Sequence, residues 1–436
     1  MKLARLLFFF STAMSLAVSS VSASSKLDDF NSNPETIGYM QGFPPSSDMR
    51  IQQPDSNFFS FPKLRWSVCH LRELLPTREI PRKIGYTSYL NSNLKTGKIN
   101  DLSFRPTGSA TSISWKSSLA ENYTDGILIL HKGKIVYEYY NGCLKPDGKH
   151  AIMSMTKSFI GLVAEILAVE GKLDVTQTVQ QVIPDLARSG FANATIAQVM
   201  DMTTYINFSE DYSNPNAEIW EYAKAASPWP KQESYDGPIG YYEYIQTVTG
   251  NSQHGKAFAY KTVNTDVLGW ILSKTTGLSV DELISERIWK KIGADQSAYI
   301  TVDGIGTAFS GGGMSASLRD LAKVGQLLLN EGRFEGQQIF PSKVVQNIKN
   351  GGSKSAFEEA GFKSIKGGSY KSMWWLFHNE NGAFAARGVH GQTIYIDPKA
   401  EMVIVRLASH PNAKNSAIDP TSLPAYQAVA DFLMTD

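Results

Sequence analysis

The stretch Ser154-Met155-Thr156-Lys157-Ser158-Phe159-Ile160-Gly161-Leu162-Val163-Ala164-Glu165-Ile166-Leu167 opens on a serine and a lysine and stays largely apolar until Gly171-Lys172. An apolar run of this length closed by glycine predicts a buried helix. Residues three apart share a helical face, so Ser154 and Lys157 meet at its start. A serine hydroxyl is a weak nucleophile at neutral pH and needs an adjacent base. A lysine becomes one when burial lowers its pKa. Backbone N–H groups at a helix start also favour negative charge. The bland alternative for Ser154 is an N-cap serine with a solvated lysine one turn on.

The same spacing occurs at Ser60-Phe61-Pro62-Lys63 and Ser92-Asn93-Leu94-Lys95. Ser60 lies just before a proline in a loop and Ser92 sits between polar neighbours, whereas only Ser154 opens a segment hydrophobic enough to be buried.

On the N-terminal side of this helix, Gly126-Ile127-Leu128-Ile129-Leu130 and Ile135-Val136-Tyr137-Glu138-Tyr139-Tyr140 flank His131-Lys132-Gly133-Lys134, the pattern of a β-hairpin. On the C-terminal side, residues from about 175 to 350 read as mostly helical, clearest at 318–330 before Gly332, with no strand expected. Short β-rich runs follow at 373–378, 383–388, 392–397 and 402–408, punctuated by Asn379-Glu380-Asn381-Gly382 and Pro398, and 424–433 reads as a closing helix. The predicted fold class is therefore α/β of the α+β type. An antiparallel sheet built from both termini is flanked by helices, with a mostly helical region inserted.

The chain has 436 residues, 42 Lys+Arg against 41 Asp+Glu, and a formal net charge of +1. That balance offers no electrostatic footprint for nucleic acid or an acidic membrane surface. Two cysteines exclude a disulfide-dense mini-domain or a Cys-rich metal cluster, and no metal site is expected. Lys2 and Arg5, the apolar run at 6–18 and the small residues Val21-Ser22-Ala23 read as a signal peptide over 1–23. The run is too short for a spanning anchor, so the expected location is periplasmic or secreted. Residues 24–104 form an N-terminal irregular extension, polar and Pro-bearing to about 60 and expected to wrap the surface. After export, Cys69 and Cys143 are either bridged, which on the chain-entropy model contributes roughly 4 kcal/mol, or two separate buried thiols.

Two further segments carry polar chemistry. Phe258-Ala259-Tyr260-Lys261-Thr262-Val263-Asn264-Thr265-Asp266 places a tyrosine before a helix, and Gly388-Val389-His390-Gly391-Gln392-Thr393 places a histidine and glycines at a strand start. Alone, either reads as a structural tyrosine or histidine. In order, Ser-x-x-Lys, a tyrosine segment about 100 residues on and a His-Gly strand resemble the serine β-lactamase and penicillin-binding protein superfamily, closest to its esterase and 6-aminohexanoate-dimer hydrolase branch. Supporting phrases are Val199-Met200-Asp201-Met202-Thr203-Thr204, Phe208-Ser209-Glu210-Asp211-Tyr212 and Gly311-Gly312-Gly313-Met314-Ser315-Ala316.

The resemblance implies a β-lactamase-like serine hydrolase domain over 105–436. It implies Ser154 as acylated nucleophile, Lys157 as its proton acceptor and Tyr260 as second proton-transfer group. Thr262, Val389, His390, Gly391 and Gln392 would bind substrate, and the Ser154 N–H with one from 389–392 would form the oxyanion hole. It implies no cofactor and a small-molecule ester or amide substrate. Two departures weigh against antibiotic hydrolysis: Tyr260-Lys261-Thr262 stands for the superfamily's Tyr-x-Asn, and His390-Gly391-Gln392 for its Lys-Thr-Gly, losing an amide and a permanent cation. The alternatives are β-lactam binding or hydrolysis by the same residues, and a non-catalytic binding protein of this fold. No Gly-x-Ser-x-Gly or His-Glu-x-x-His occurs. Trp220, Trp229, Tyr235, Tyr241, Tyr242 and Tyr244 form either an aromatic lid or packing between helices.

Overall fold

The computed structural model describes residues 27–52, 56–212, 214–251 and 253–436. The signal peptide expected at 1–23 lies outside them. The elements that position the site are, in chain order, β1 (Thr77–Ile80), β2 (Thr124–His131), β3 (Lys134–Tyr140), β4 (His150–Ala151), α1 (Met155–Val169), α2 (Glu218–Ala226), α3 (Gly240–Thr247) and α4 (Val263–Thr276). They continue with β5 (Ala298–Thr301), β6 (Met314–Ala316), α5 (Leu318–Leu329), β7 (Ser369–Lys371), β8 (Trp374–Leu376), β9 (Phe384–Gly388), β10 (Gln392–Asp397), β11 (Met402–Ala408) and α6 (Asp419–Thr435).

Seven strands pair antiparallel in the order β7-β8-β9-β10-β11-β2-β3. The early hairpin joins the late strands through β2 and β11, where Met402 faces His131 and Arg406 faces Ile127. Side chains alternate across this sheet, as the two-residue period of a strand requires. Leu128, Leu130, Val403 and Val405 enter the core that contains Phe159 and Val163 of α1 and Leu321 and Leu328 of α5. Ile127, Ile129, Met402 and Ile404 enter the opposite core, beneath Val429 and Leu433 of α6. Both faces are covered, each buried aliphatic contributing roughly 1.5–3 kcal/mol.

The stretch 175–350 departs from the expectation of no strand. Ala298–Thr301 and Met314–Ala316 are strands of a second sheet, ordered β1-β5-β6-β4. Each is only three or four residues and buried throughout, so it shows no alternation, and its partners come from distant parts of the chain. β1 brings residues of the N-terminal stretch into this sheet, where Thr77 pairs with Thr301 and Ile80 with Ala298.

The N-terminal stretch expected to be irregular carries short helices at Leu64–Ser67 and Leu71–Leu74 as well as β1, and it is anchored. Ile51, Phe58, Leu64, Trp66, Val68 and Leu71 form a cluster with Ala151 and Met153, just before Ser154. Buried Arg65 reaches Asp29 at 2.8 Å and Asp125 at 3.1 Å, so its charge is paired on both sides. Cys69 and Cys143 are bridged, with Cα atoms 6.0 Å apart, which fastens the extension to the turn after β3. Among the described residues no helix is long and apolar enough to cross a membrane.

Candidate active site

The chain enters α1 through a tight, strained turn. Ile152 donates its N–H to the Met314 carbonyl of β6 at 2.9 Å, and Met153 then adopts φ 49°, a left-handed conformation unfavourable for a side chain with a Cβ. Thr156 holds that turn: its Oγ1 donates to the Met153 carbonyl at 2.7 Å and accepts the Met314 N–H at 3.1 Å. Ser154 follows as the N-cap of α1, where backbone N–H groups lack intrahelical partners. The helix is pressed against the β7–β8 turn, because a Cβ on Gly161 would stand 2.1 Å from the Ser372 carbonyl oxygen.

One turn into the helix, Lys157 Nζ donates to Ser154 Oγ at 3.1 Å and to the Gly311 carbonyl at 2.5 Å. Burial disfavours its ammonium and brings its pKa down from 10.5 to about 8, against the opposing pull of the Glu210 and Asp266 carboxylates. A fraction of the amine is therefore neutral near physiological pH and able to accept a proton.

Tyr260 stands across the serine. Its phenol has Ser154 as a hydrogen-bonding neighbour, its pKa is raised by burial, and its ring centroid lies 5.2 Å from Lys157 Nζ. The ring rests on Trp375 at 5.3 Å and meets the edge of Tyr370 at 6.0 Å. A neutral phenol and a partly neutral amine thus flank one hydroxyl, a set that can remove a proton from Ser154 and return one elsewhere.

The remaining expected residues divide. Thr262 is buried beside Tyr260, and its N–H and side chain hold the Glu210 carboxylate. The end of β9 adjoins the turn before Ser154, since a Cβ on Gly388 would lie 2.7 Å from the Ile152 carbonyl and 3.1 Å from Met153 Cβ. Val389 packs on the same cluster as Met153. His390, at φ 63°, uses its N–H on the Ala413 carbonyl and its Nδ1 on the His410 carbonyl at 2.7 Å. Burial keeps its imidazole pKa below the usual value, so it is neutral at pH 7. Gly391 offers its carbonyl to Arg406 at 3.0 Å. Gln392 is fully buried, its amide tied to the carbonyls of Val389 and Ala408, so it shapes the loop rather than facing a ligand.

Residue-level reading of the sequence missed three members of the site: Glu210, Asp266 and Gly311. All three stand in segments quoted for the family resemblance or the tyrosine motif, but no spacing rule marks them as neighbours of Lys157. Of the aromatic residues, Tyr241 and Tyr244 are buried core and Tyr242 stacks on Trp270 at 4.2 Å, which is packing between helices. Trp220 is exposed and meets Tyr212 edge-on at 5.9 Å, two residues from Glu210. The potential metal-ligand group found among the described residues is Cys69, Cys143 and His150, and its two sulfurs are joined to each other.

The family model described as Beta-lactamase matches residues 119–423. A 6-aminohexanoate-dimer hydrolase of Paenarthrobacter ureafaciens is 36% identical over 355 residues, covering 80% of this chain and 86% of that protein. A solved structure from Bacillus anthracis, provisionally named a 6-aminohexanoate-dimer hydrolase, superposes with a TM-score of 0.80 at 31% identity, covering 90% of this chain and 99% of the other. EstCE1, described as a hydrolase with promiscuous acyltransferase activity, shares the fold with a TM-score of 0.58 at 15% identity over 72% of this chain and 96% of its own.

Proposed function

The chain belongs to the beta-lactamase family and is a hydrolase of that fold, and we propose that it is an exported serine hydrolase opening ester or small amide bonds through an acyl-enzyme on Ser154. The observation that carries this reading is the 3.1 Å contact between buried Lys157 Nζ and Ser154 Oγ. In the first step neutral Lys157 takes the hydroxyl proton as Oγ bonds to the substrate carbonyl carbon. The developing oxyanion faces the Ser154 N–H and one N–H of the 389–392 segment, of which His390 is not the donor because it serves Ala413. Tyr260 delivers a proton to the departing alkoxide or amine, and water then releases the acyl group by the reverse proton path.

The relative named for the 6-aminohexanoate dimer supports a small-amide substrate. A β-lactam substrate is less well served: Thr262 carries no amide, and neutral His390 gives no permanent cation for a substrate carboxylate. Export is supported by the Cys69–Cys143 bridge, since disulfides persist in oxidising compartments, together with the charge and apolar pattern of residues 1–23.

The test is turnover of p-nitrophenyl butyrate, the linear 6-aminohexanoate dimer and nitrocefin by wild type and Ser154→Ala. The reading expects Ser154-dependent cleavage of the ester or the amide above that of nitrocefin. Nitrocefin as the fastest substrate would favour a β-lactamase, and no Ser154-dependent turnover at all would favour a binding protein.

A further inference from the structure

Asp266 lies on α4 beyond the tyrosine segment, is 1% exposed, and has no part in the proton path described above. Its Oδ2 accepts the Tyr222 hydroxyl of α2 at 2.6 Å, and its Oδ1 accepts the Gly311 N–H at 3.2 Å. The carbonyl of that same glycine accepts Lys157 Nζ at 2.5 Å. The backbone of one residue therefore joins a buried carboxylate to the buried amine. A Cβ at this position would stand 2.3 Å from Thr262 Cγ2 and 3.1 Å from Asp266 Oδ2, so a larger residue would have to displace its neighbours.

We propose that Asp266 is a positioning residue for the general base: through Gly311 it fixes the carbonyl that aims Lys157 Nζ at Ser154, and its carboxylate is the counter-charge for the ammonium formed when Lys157 takes the serine proton. This inference rests on the hydrolase reading. Without a nearby anion, an ammonium created in this apolar setting loses its solvation with little in return. The groups around the pair are few. Lys157 is faced by Glu210 from the 209–212 loop and by Tyr260, and Asp266 by Tyr222 from α2 and by Tyr241 and Tyr242 from α3. Burial holds all three α-helical phenols in their neutral forms, so the negative charges on Lys157 come from Asp266 and Glu210. Burial also raises the Asp266 carboxyl, and the Tyr222 hydroxyl and the Lys157 charge draw it back.

The experiment is the pH profile of kcat/KM for p-nitrophenyl butyrate in wild type, Asp266→Asn and Tyr222→Phe, with folding checked by circular dichroism. Asparagine keeps an acceptor for Gly311 but removes the charge. With less negative charge nearby the ammonium form of Lys157 is less favoured, so the acid limb moves to lower pH. The resulting weaker base lowers the plateau. The expected size is about one pH unit and about tenfold. Tyr222→Phe removes the donor that stabilises the carboxylate and shifts the limb the same way by less; it carries the test if Asp266→Asn does not fold. Folded variants whose rate falls equally at every pH, with the limb in place, would reduce Asp266 to a packing role and overturn the inference. Absence of Ser154-dependent turnover in wild type would instead overturn the hydrolase reading itself.

Discussion

Ser154 Oγ, part-buried at the start of α1, accepts its hydrogen bond at 3.1 Å from Lys157, a residue that is 1% exposed, so the proposed base is shielded from water while the proposed nucleophile stays within a substrate's reach. Positioned acid-base groups contribute roughly 10² to 10⁴-fold, and Lys157→Ala and Tyr260→Phe are each expected to lower kcat by that range. Because the proposed mechanism puts the two on one proton path, the double variant is expected to be far less impaired than the product of the singles. Steady-state kinetics on the three variants checks this, and multiplicative losses would mean independent roles.

The depressed pKa of Lys157 fixes a pH dependence. To act as the proposed base Lys157 must be neutral, and its neutral fraction grows as pH rises through about 8. kcat/KM is expected to climb up to tenfold per unit below that point and to level above it. Stability follows the same sign. From about 8 to 10.5 the unfolded lysine binds a proton that the native one has released, so for this group unfolding free energy grows with pH. Urea denaturation of wild type and Lys157→Met across that window reads the difference, and equal pH slopes would contradict it.

The Ser154–Lys157 pair was legible because it is local: three residues on one helix need no knowledge of the rest of the fold. Six strands of the main sheet were legible too, as runs of β-branched and aromatic residues between turn signals, while the short edge strand β7 at 369–371 was not expected. Asp266 and Glu210 were not legible as partners of Lys157, since their approach depends on how α4, the 209–212 loop and Gly311 pack against α1. The strands at 298–301 and 314–316 were missed for a related reason: short, wholly buried segments carry no period, and their pairing is set by residues 77–80 and 150–151. Gln392 shows the converse, a residue in a suggestive motif whose amide the loop itself occupies.

Gly161→Ala tests the close approach of α1 to the β7–β8 turn. Helix propensity alone favours alanine by about 1 kcal/mol. A Cβ 2.1 Å from the Ser372 carbonyl oxygen demands a backbone shift, and overpacking of this kind costs about 1–3 kcal/mol. The variant is expected to be net destabilised in chemical denaturation; a more stable one would show that the helix is not held there.

Removing the Cys69–Cys143 bridge with paired serines releases a separation of 74 residues and is expected to lower unfolding free energy by roughly 4 kcal/mol. The loss reaches the site because Ala151, three residues before Ser154, donates its N–H to the Val68 carbonyl beside Cys69 at 2.7 Å. Denaturation of the variant against oxidised wild type measures it. A change under about 0.5 kcal/mol would mean that the extension is held by its apolar cluster and Arg65 alone.

The central claim is covalent chemistry at Ser154, and the most direct measurement is intact-protein mass spectrometry with peptide mapping during turnover of p-nitrophenyl esters, short amides and penicillin. The account predicts an acyl adduct on the peptide bearing Ser154 that vanishes in Ser154→Ala. It persists in Ser60→Ala and Ser92→Ala, since Ser60 and Lys63 both bond to Asn57 and Lys95 pairs with Asp436. Turnover without any adduct on Ser154, or an adduct that survives Ser154→Ala, would contradict it.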